Sequence, residues 1–209
     1  MRLSILADET IKDEFLQKNI PATVEISWKT TLEELVDPGA DAYFDLLFVN
    51  DPARIEALKK LPVPVYINAV TDTLEDIGQP FIRINAWPDF LNRNLTEIVA
   101  GDTTDVTALD ALGWKYQRVP DVPGMIAPRV IAMIINEAYF ALGEKVSTKE
   151  EIDIAMKLGT NYPFGPFEWA EKIGVDKIAG LLTRLSVEDE RYTMAKALVS
   201  DAALQKNPS

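Results

Sequence analysis

Any proton transfer carried by this chain falls to Asp, Glu, Lys or Tyr, because its 209 residues include no histidine and no cysteine. A Ser-His-Asp triad, a zinc-binding HExxH helix and a thiol nucleophile are therefore excluded. So are disulfides and cysteine-ligated zinc or iron–sulfur clusters. Among the acids, Asp72, Glu75 and Asp76 lie close together, but they lack the regular ligand spacing of a calcium loop. A solvated helix face accounts for them, and no metal site is expected. Lys59-Lys60 is too short for a polyanion patch, although one such pair could touch a ligand phosphate. Acidic side chains outnumber basic ones 33 to 21 and the net charge is -12, so nucleic acid would meet a repulsive field.

The elements that hold these side chains come from a chain that is 47% hydrophobic and 26% charged, enough for a globular core. Residues 3–7, 22–26, 43–49, 63–67 and 81–85 are short β-rich runs, and 10–18 and 51–60 between them carry helical spacing. That alternation predicts a Rossmann-like, doubly wound, mostly parallel α/β sheet over residues 1–120. Runs 95–99 and 115–119 could extend it. After Pro120-Asp-Val-Pro-Gly124 the texture becomes helical, with apolar spacing over 126–142. Thr148-Lys-Glu-Glu151 is a capping box ahead of a helix over 152–158 that Gly159 can end. Pro166 suits the first turn of a helix to Ile173, stopped by Gly174, and 176–185 and 188–204 complete a small all-α domain over 121–209. The oily stretch 125–142 is broken by Pro128, Arg129, Asn136 and Glu137, and the run 3–7 is too short for an export signal. A cytoplasmic protein with no membrane partner is expected.

Glu151-Ile-Asp-Ile-Ala-Met-Lys-Leu-Gly-Thr-Asn-Tyr-Pro-Phe-Gly-Pro-Phe-Glu168, followed by Ile173-Gly-Val-Asp176, carries a specific resemblance. It resembles the helix, glycine stop, Tyr-Pro-x-Gly-Pro turn and next helix in the C-terminal domain of the NAD-dependent 3-hydroxyacyl-CoA dehydrogenases. Asp121-Val-Pro-Gly-Met-Ile-Ala-Pro-Arg129 and Asn136-Glu-Ala138 are similar to that domain's linker and first helix. The resemblance implies an NAD-binding domain ahead of the helical one, oxidation of 3-hydroxyacyl-CoA in fatty acid metabolism, an acyl-CoA-like ligand, and a homodimer formed through the helical domain. Read from the residues alone, Gly159, Pro163, Gly165 and Pro166 shape helix boundaries and do no chemistry. Tyr162 and Trp169 flank the turn, where packing is the default for aromatics.

Carried into the first 120 residues, the resemblance weakens, and the differences fall on chemical positions. The family's first strand enters a G-x-G-x-x-G turn that admits a pyrophosphate to a helix N-terminus. Here the stretch reads Ile5-Leu-Ala-Asp-Glu-Thr-Ile-Lys-Asp13, so Ala7, Asp8 and Glu9 replace the glycines. As a helix start, those acids are ordinary. The acid that holds a ribose hydroxyl is replaced by the neighbourhood Ser27-Trp28-Lys29, where Trp28 either fills nucleotide space or simply packs. Matching Leu95-Thr-Glu-Ile-Val99 to the family's Leu-Val-Glu-Val-Val puts Asn85 at the catalytic histidine and Glu97 at its glutamate partner. Pro128 stands at a substrate-side asparagine, and Asn68-Ala-Val70 maps loosely onto the family's Asn-Thr-Ser segment. Arg129 matches a retained arginine, with a structural ion-pair role favoured over substrate binding. The expectation is a divergent member with degraded activity and no bound cofactor. Two alternatives stand beside it: an active dehydrogenase using Glu97 alone as base with non-standard NAD binding, and a non-catalytic dimerising or regulatory subunit.

Overall fold

The computed structural model describes residues 1–62 and 64–206. The chain divides into two compact units, Met1–Met125 and Ile126–Ser209. In the first, the strands are β1 (Arg2–Leu6), β2 (Glu25–Lys29), β3 (Ala42–Asp45), β4 (Val65–Ile67), β5 (Ile82–Ile84), β6 (Leu95–Val99) and β7 (Lys115–Arg118). The helices between them are α1 (Glu9–Gln17), α2 (Leu32–Leu35), α3 (Pro52–Leu58), α4 (Leu74–Ile77) and α5 (Thr107–Ala111). The strands form a 7-stranded sheet in the order β2-β1-β3-β4-β5-β6-β7. Neighbours are parallel except β5 and β6, so the sheet is the mostly parallel Rossmann-like one that the alternation predicts.

Strands covered on both faces read as nearly continuous apolar runs, and both faces are covered here. Leu3, Ile5, Phe44 and Tyr66 pack with Ile11 and Phe15 of α1, while Leu6, Tyr43 and Ile67 pack with Leu35, Leu58 and Ile77 of α2, α3 and α4. Phe15 sits at the centre of an aromatic group, with Trp28 at 5.4 Å, Phe44 at 6.3 Å and Trp114 at 4.6 Å between ring centroids. Trp28 is therefore packed.

Several bounds differ from the sequence reading. The second strand runs over Glu25–Lys29, not 22–26: Val24 N–H closes a turn on the Pro21 carbonyl, and pairing of Glu25 with Arg2 sets the start. The third ends at Asp45, whose side chain forms a buried ion pair with Arg54. In the run 63–67, Val63 lies outside the described residues. The linker residues 121–125 go with the sheet, held by Arg83 of β5 at Asp121 and Val122 and by a hydrogen bond from Gly124 N–H to the Val70 carbonyl at 2.8 Å. The Arg83 guanidinium meets Asp121 at 2.5 Å and the carbonyls of Ala69, Val70 and Val122 at 2.7, 3.0 and 3.3 Å.

The second unit contains α6 (Ala127–Gly143), α7 (Lys149–Thr160), α8 (Pro166–Ile173), α9 (Val175–Ser186), a 3-10 turn (Glu190–Tyr192) and α10 (Lys196–Lys206). No strand occurs among its described residues. Ile135, Tyr139, Trp169, Ile178, Leu182 and Leu198 are buried in it. Gly159 does not end α7; the helix continues to Thr160, and Asn161 closes it in the left-handed conformation at φ 55°. The single helix expected over 188–204 is instead a 3-10 turn and α10, separated where Asn136 of α6 intervenes. Its amide accepts from Ala195 N–H and donates to the Thr193 carbonyl, both at 2.9 Å. Among the described residues no helix is long and apolar enough to cross a membrane.

Candidate functional site

The order of the strands places a topological switch between β1 and β3, and ligands of open α/β sheets bind outside the strand ends at such a point. Leu6 ends β1, Ala7 is buried, and Asp8 and Glu9 are exposed. Asp8 is the N-cap of α1, its Oδ1 accepting from the Ile11 N–H at 2.8 Å. Glu9 pairs with Lys12 one turn on, at 3.4 Å. The end of β2 carries Lys29, Thr30 and Thr31, and Lys29 Nζ lies 3.7 Å from Asp37. On the β3 side Asp45 is fully buried, held by Arg54 at 2.6 and 2.5 Å. Burial pushes the Asp45 carboxyl up, and the guanidinium opposes that shift. Asn68, just beyond β4, ties this edge together: it donates to the Leu46 and Ala86 carbonyls at 3.1 and 3.2 Å and accepts from Ala86 N–H at 3.1 Å.

Asn85 and Glu97 are brought opposite each other across the antiparallel β5–β6 seam. Asn85 N–H donates to the Glu97 carbonyl at 3.1 Å, continuing the register that pairs Ile84 with Ile98. Directly opposed residues of antiparallel strands project to the same face. Asn85 is buried, and its Oδ1 accepts weakly from Trp87 N–H at 3.4 Å. Glu97 is half-buried, and its charge reaches Arg93, whose guanidinium burial pulls down while Asp89 and Glu97 pull up. The loop between the two strands is anchored by Glu14 of α1, which accepts from Asp89 N–H at 2.7 Å. The seam thus brings the backbones of Asn85 and Glu97 together, with an amide and a carboxylate as their side chains and no imidazole.

The other residues singled out in the sequence lie elsewhere in the two units. Arg129 is half-buried near the start of α6, 5.6 Å from the Tyr192 ring, with Pro128 buried in the first turn. Asp72 accepts from Asn50 at 3.0 Å, and Asp76 closes a capping box with Thr73. Among the described residues no group of acids is arranged to hold a metal ion. Lys59 pairs with Glu56 of its own helix. Trp169 is buried against Phe164, whereas Tyr162, expected to pack, is 39% exposed because the chain there leaves α7 along the surface. Asp153 went unnoticed in the sequence. It accepts from the Phe167 and Glu168 N–H groups at 2.8 and 3.1 Å, capping α8 from α7, and a Cβ at Gly165 would overlap its carboxylate. The spacing from Asp153 to Gly165-Pro166 was the available signal.

Residues 124–208 match the family model for the C-terminal domain of 3-hydroxyacyl-CoA dehydrogenases. The Bacillus subtilis protein named "Probable 3-hydroxybutyryl-CoA dehydrogenase" is 36% identical over 214 residues, covering 90% of this chain and 72% of that protein. The chain belongs to the 3-hydroxyacyl-CoA dehydrogenase family. Similarity to the Escherichia coli 3-hydroxyadipyl-CoA dehydrogenase is higher, 42%, but spans 99 residues, 46% of this chain and only 21% of the length of that relative. In fold, the chain is similar to the crystal structure of (S)-3-hydroxybutyryl-CoA dehydrogenase from Ralstonia eutropha, with a TM-score of 0.73 at 22% identity over 98% of this chain and 94% of the other. Within this 3-hydroxyacyl-CoA dehydrogenase scaffold, Asp153, Gly165 and Pro166 act in this chain as a helix-capping device.

Proposed function

We propose that this protein is a divergent 3-hydroxyacyl-CoA dehydrogenase that keeps the family scaffold but has lost, or strongly reduced, NAD-dependent oxidation of 3-hydroxyacyl-CoA. One observation carries the reading: the Asp8 carboxylate sits on a backbone N–H at the start of α1, in a turn without glycine. A pyrophosphate needs those N–H groups and the positive helix end; here a carboxylate holds one donor and Glu9 adds a second negative charge. Lys29, Thr30 and Thr31 offer no acid to a ribose hydroxyl. These residues do not suit NAD.

Asn85 supports the same reading. Its amide can donate to a carbonyl but cannot take up a hydroxyl proton, and losing a positioned acid–base group costs about 10²- to 10⁴-fold in rate. Retention of Glu97 opposite Asn85 favours the alternative, an active dehydrogenase with Glu97 as base. A calorimetric titration with NAD and an NADH assay on 3-hydroxybutyryl-CoA separate the two. Neither micromolar NAD affinity nor turnover near about 1 s⁻¹, the low end for enzymes, is expected. Either result would establish the active alternative.

The reading extends to a cytoplasmic homodimer formed through the helical unit. Support comes from α7, whose buried side chain is Asp153, while Ile154 is 53% and Leu158 83% exposed. An acyl-CoA-like ligand remains part of the proposal; nucleic acid and membrane do not.

A further inference from the structure

A cavity of about 600 Å³ opens in the first unit beside the C-terminal end of α1, with Lys18, Asn19, Asn92, Asn94, Trp114 and Lys115 in its wall. None of its lining residues is acidic, in a chain where acids outnumber bases 33 to 21. Lys18 follows the last residue of α1. Its Nζ lies 3.0 Å from Thr96 Oγ1 and 3.8 Å from the centroid of the Trp114 ring. Thr96 is 1% and Trp114 5% exposed, so the ammonium rests on two buried groups. Among the described residues it makes no ion pair.

A half-buried cation with no carboxylate partner, in a cavity whose other polar side chains are carboxamides and a second lysine, keeps unspent capacity for an anion. An oxyanion would pair with it through charge-assisted hydrogen bonds. We propose that this cavity is an anion-binding site centred on Lys18, suited to a small metabolite ending in a phosphate or a carboxylate. It lies apart from the β1–α1 turn and does not depend on the dehydrogenase reading.

Burial brings the Lys18 ammonium down to about 8, so it keeps most of its charge near neutral pH. A bound anion raises that value again, and binding therefore weakens as the lysine loses its proton. Among the lining residues the other titratable group is Lys115; Thr96 of β6 and Trp114 ahead of β7 are neutral. The carbonyl ends of α1 and α5 also adjoin the cavity, which sets a competing role for Lys18 as a mere helix-end charge.

The experiment titrates the full chain with inorganic phosphate and, separately, with succinate. It is followed by tryptophan fluorescence, with Trp114→Phe identifying the reporting ring. Saturable binding of at least one anion is expected near pH ~7, weakened about tenfold by Lys18→Met, less by Lys115→Met, and not by Lys59→Met. Raising the pH to about 9.5 should weaken it about tenfold or more. A response to phosphate alone assigns a phosphate-ended ligand, and to succinate alone a carboxylate-ended one. Lys115 is exposed, so its variant tests the cavity even if Lys18→Met lowers stability. No saturable binding of either anion, or binding indifferent to both lysine variants, overturns the proposal and leaves Lys18 as a helix-end charge.

Discussion

Asn85 and Gly165 show how differently single positions weigh on this protein. Substituting Asn85→His places an imidazole opposite Glu97, yet the β1–α1 turn keeps Asp8 on the helix end. NADH production from 3-hydroxybutyryl-CoA should therefore stay absent in that variant; appearance of turnover at about 1 s⁻¹ would contradict the reading of the turn. Gly165→Ala is a stability change. Its Cβ would drive Asp153 off two backbone N–H groups, and a loss of about 2–4 kcal/mol is expected from the denaturant midpoint. Adding Asp153→Ala should cost little more, because both changes break one device; fully additive losses would refute that coupling. Asp8 as a helix start was legible from local order, whereas Asn85 and Glu97 were singled out only through the family resemblance, and it is the β5–β6 seam that brings their backbones together. The roles of Asp153, Asn136 and Arg83 were not legible, since each acts on backbone 13 or more residues away.

Elements were read most accurately where their own residues decide their ends. β6 and α8 match their sequence bounds, and α8 carries its own proline start and glycine stop. β2 slipped because an outer strand takes its register from a neighbour, which no local pattern in Ala22-Thr-Val-Glu-Ile26 reveals. The last helical stretch was split by a side chain on α6, again a distant cause. The join of α10 to its neighbours gives a pH prediction. Hydrogen bonds from Lys149 at 2.8 Å and from the Tyr139 hydroxyl at 2.6 Å hold the Asp201 carboxyl below its ordinary value of 3.8. A folded-state value below the unfolded one stabilises the fold above the unfolded pKa, and that contribution disappears as pH falls through the folded value. Lys149 is 44% exposed, so solvent screening keeps the contribution under about 1 kcal/mol. Between about pH 5 and 2.5 the melting temperature of the unaltered protein should fall more steeply than that of Asp201→Asn. Parallel slopes would count against this pair.

For the whole molecule, the testable quantity is its mass in solution. Light scattering is expected to give twice the chain mass of 23.3 kDa at micromolar concentration. Carboxylates at Ile154→Glu and Leu158→Glu, on the exposed side of α7, should return the single-chain mass without lowering the melting temperature. A single-chain mass for the unaltered protein would refute pairing.

The two outer strands of the sheet bear on behaviour in crowded solution. β2 carries Glu25 and Lys29, and β7 carries Lys115 and Arg118, so both outermost strands of the sheet bear charge at their ends. An incoming strand would have to strip water from these ends before gaining a ladder bond, which is how natural sheets resist accretion into fibres. Concentrating the protein should thus leave the sheet margins inert. The strands that finish the fold also keep neighbouring chains from continuing it.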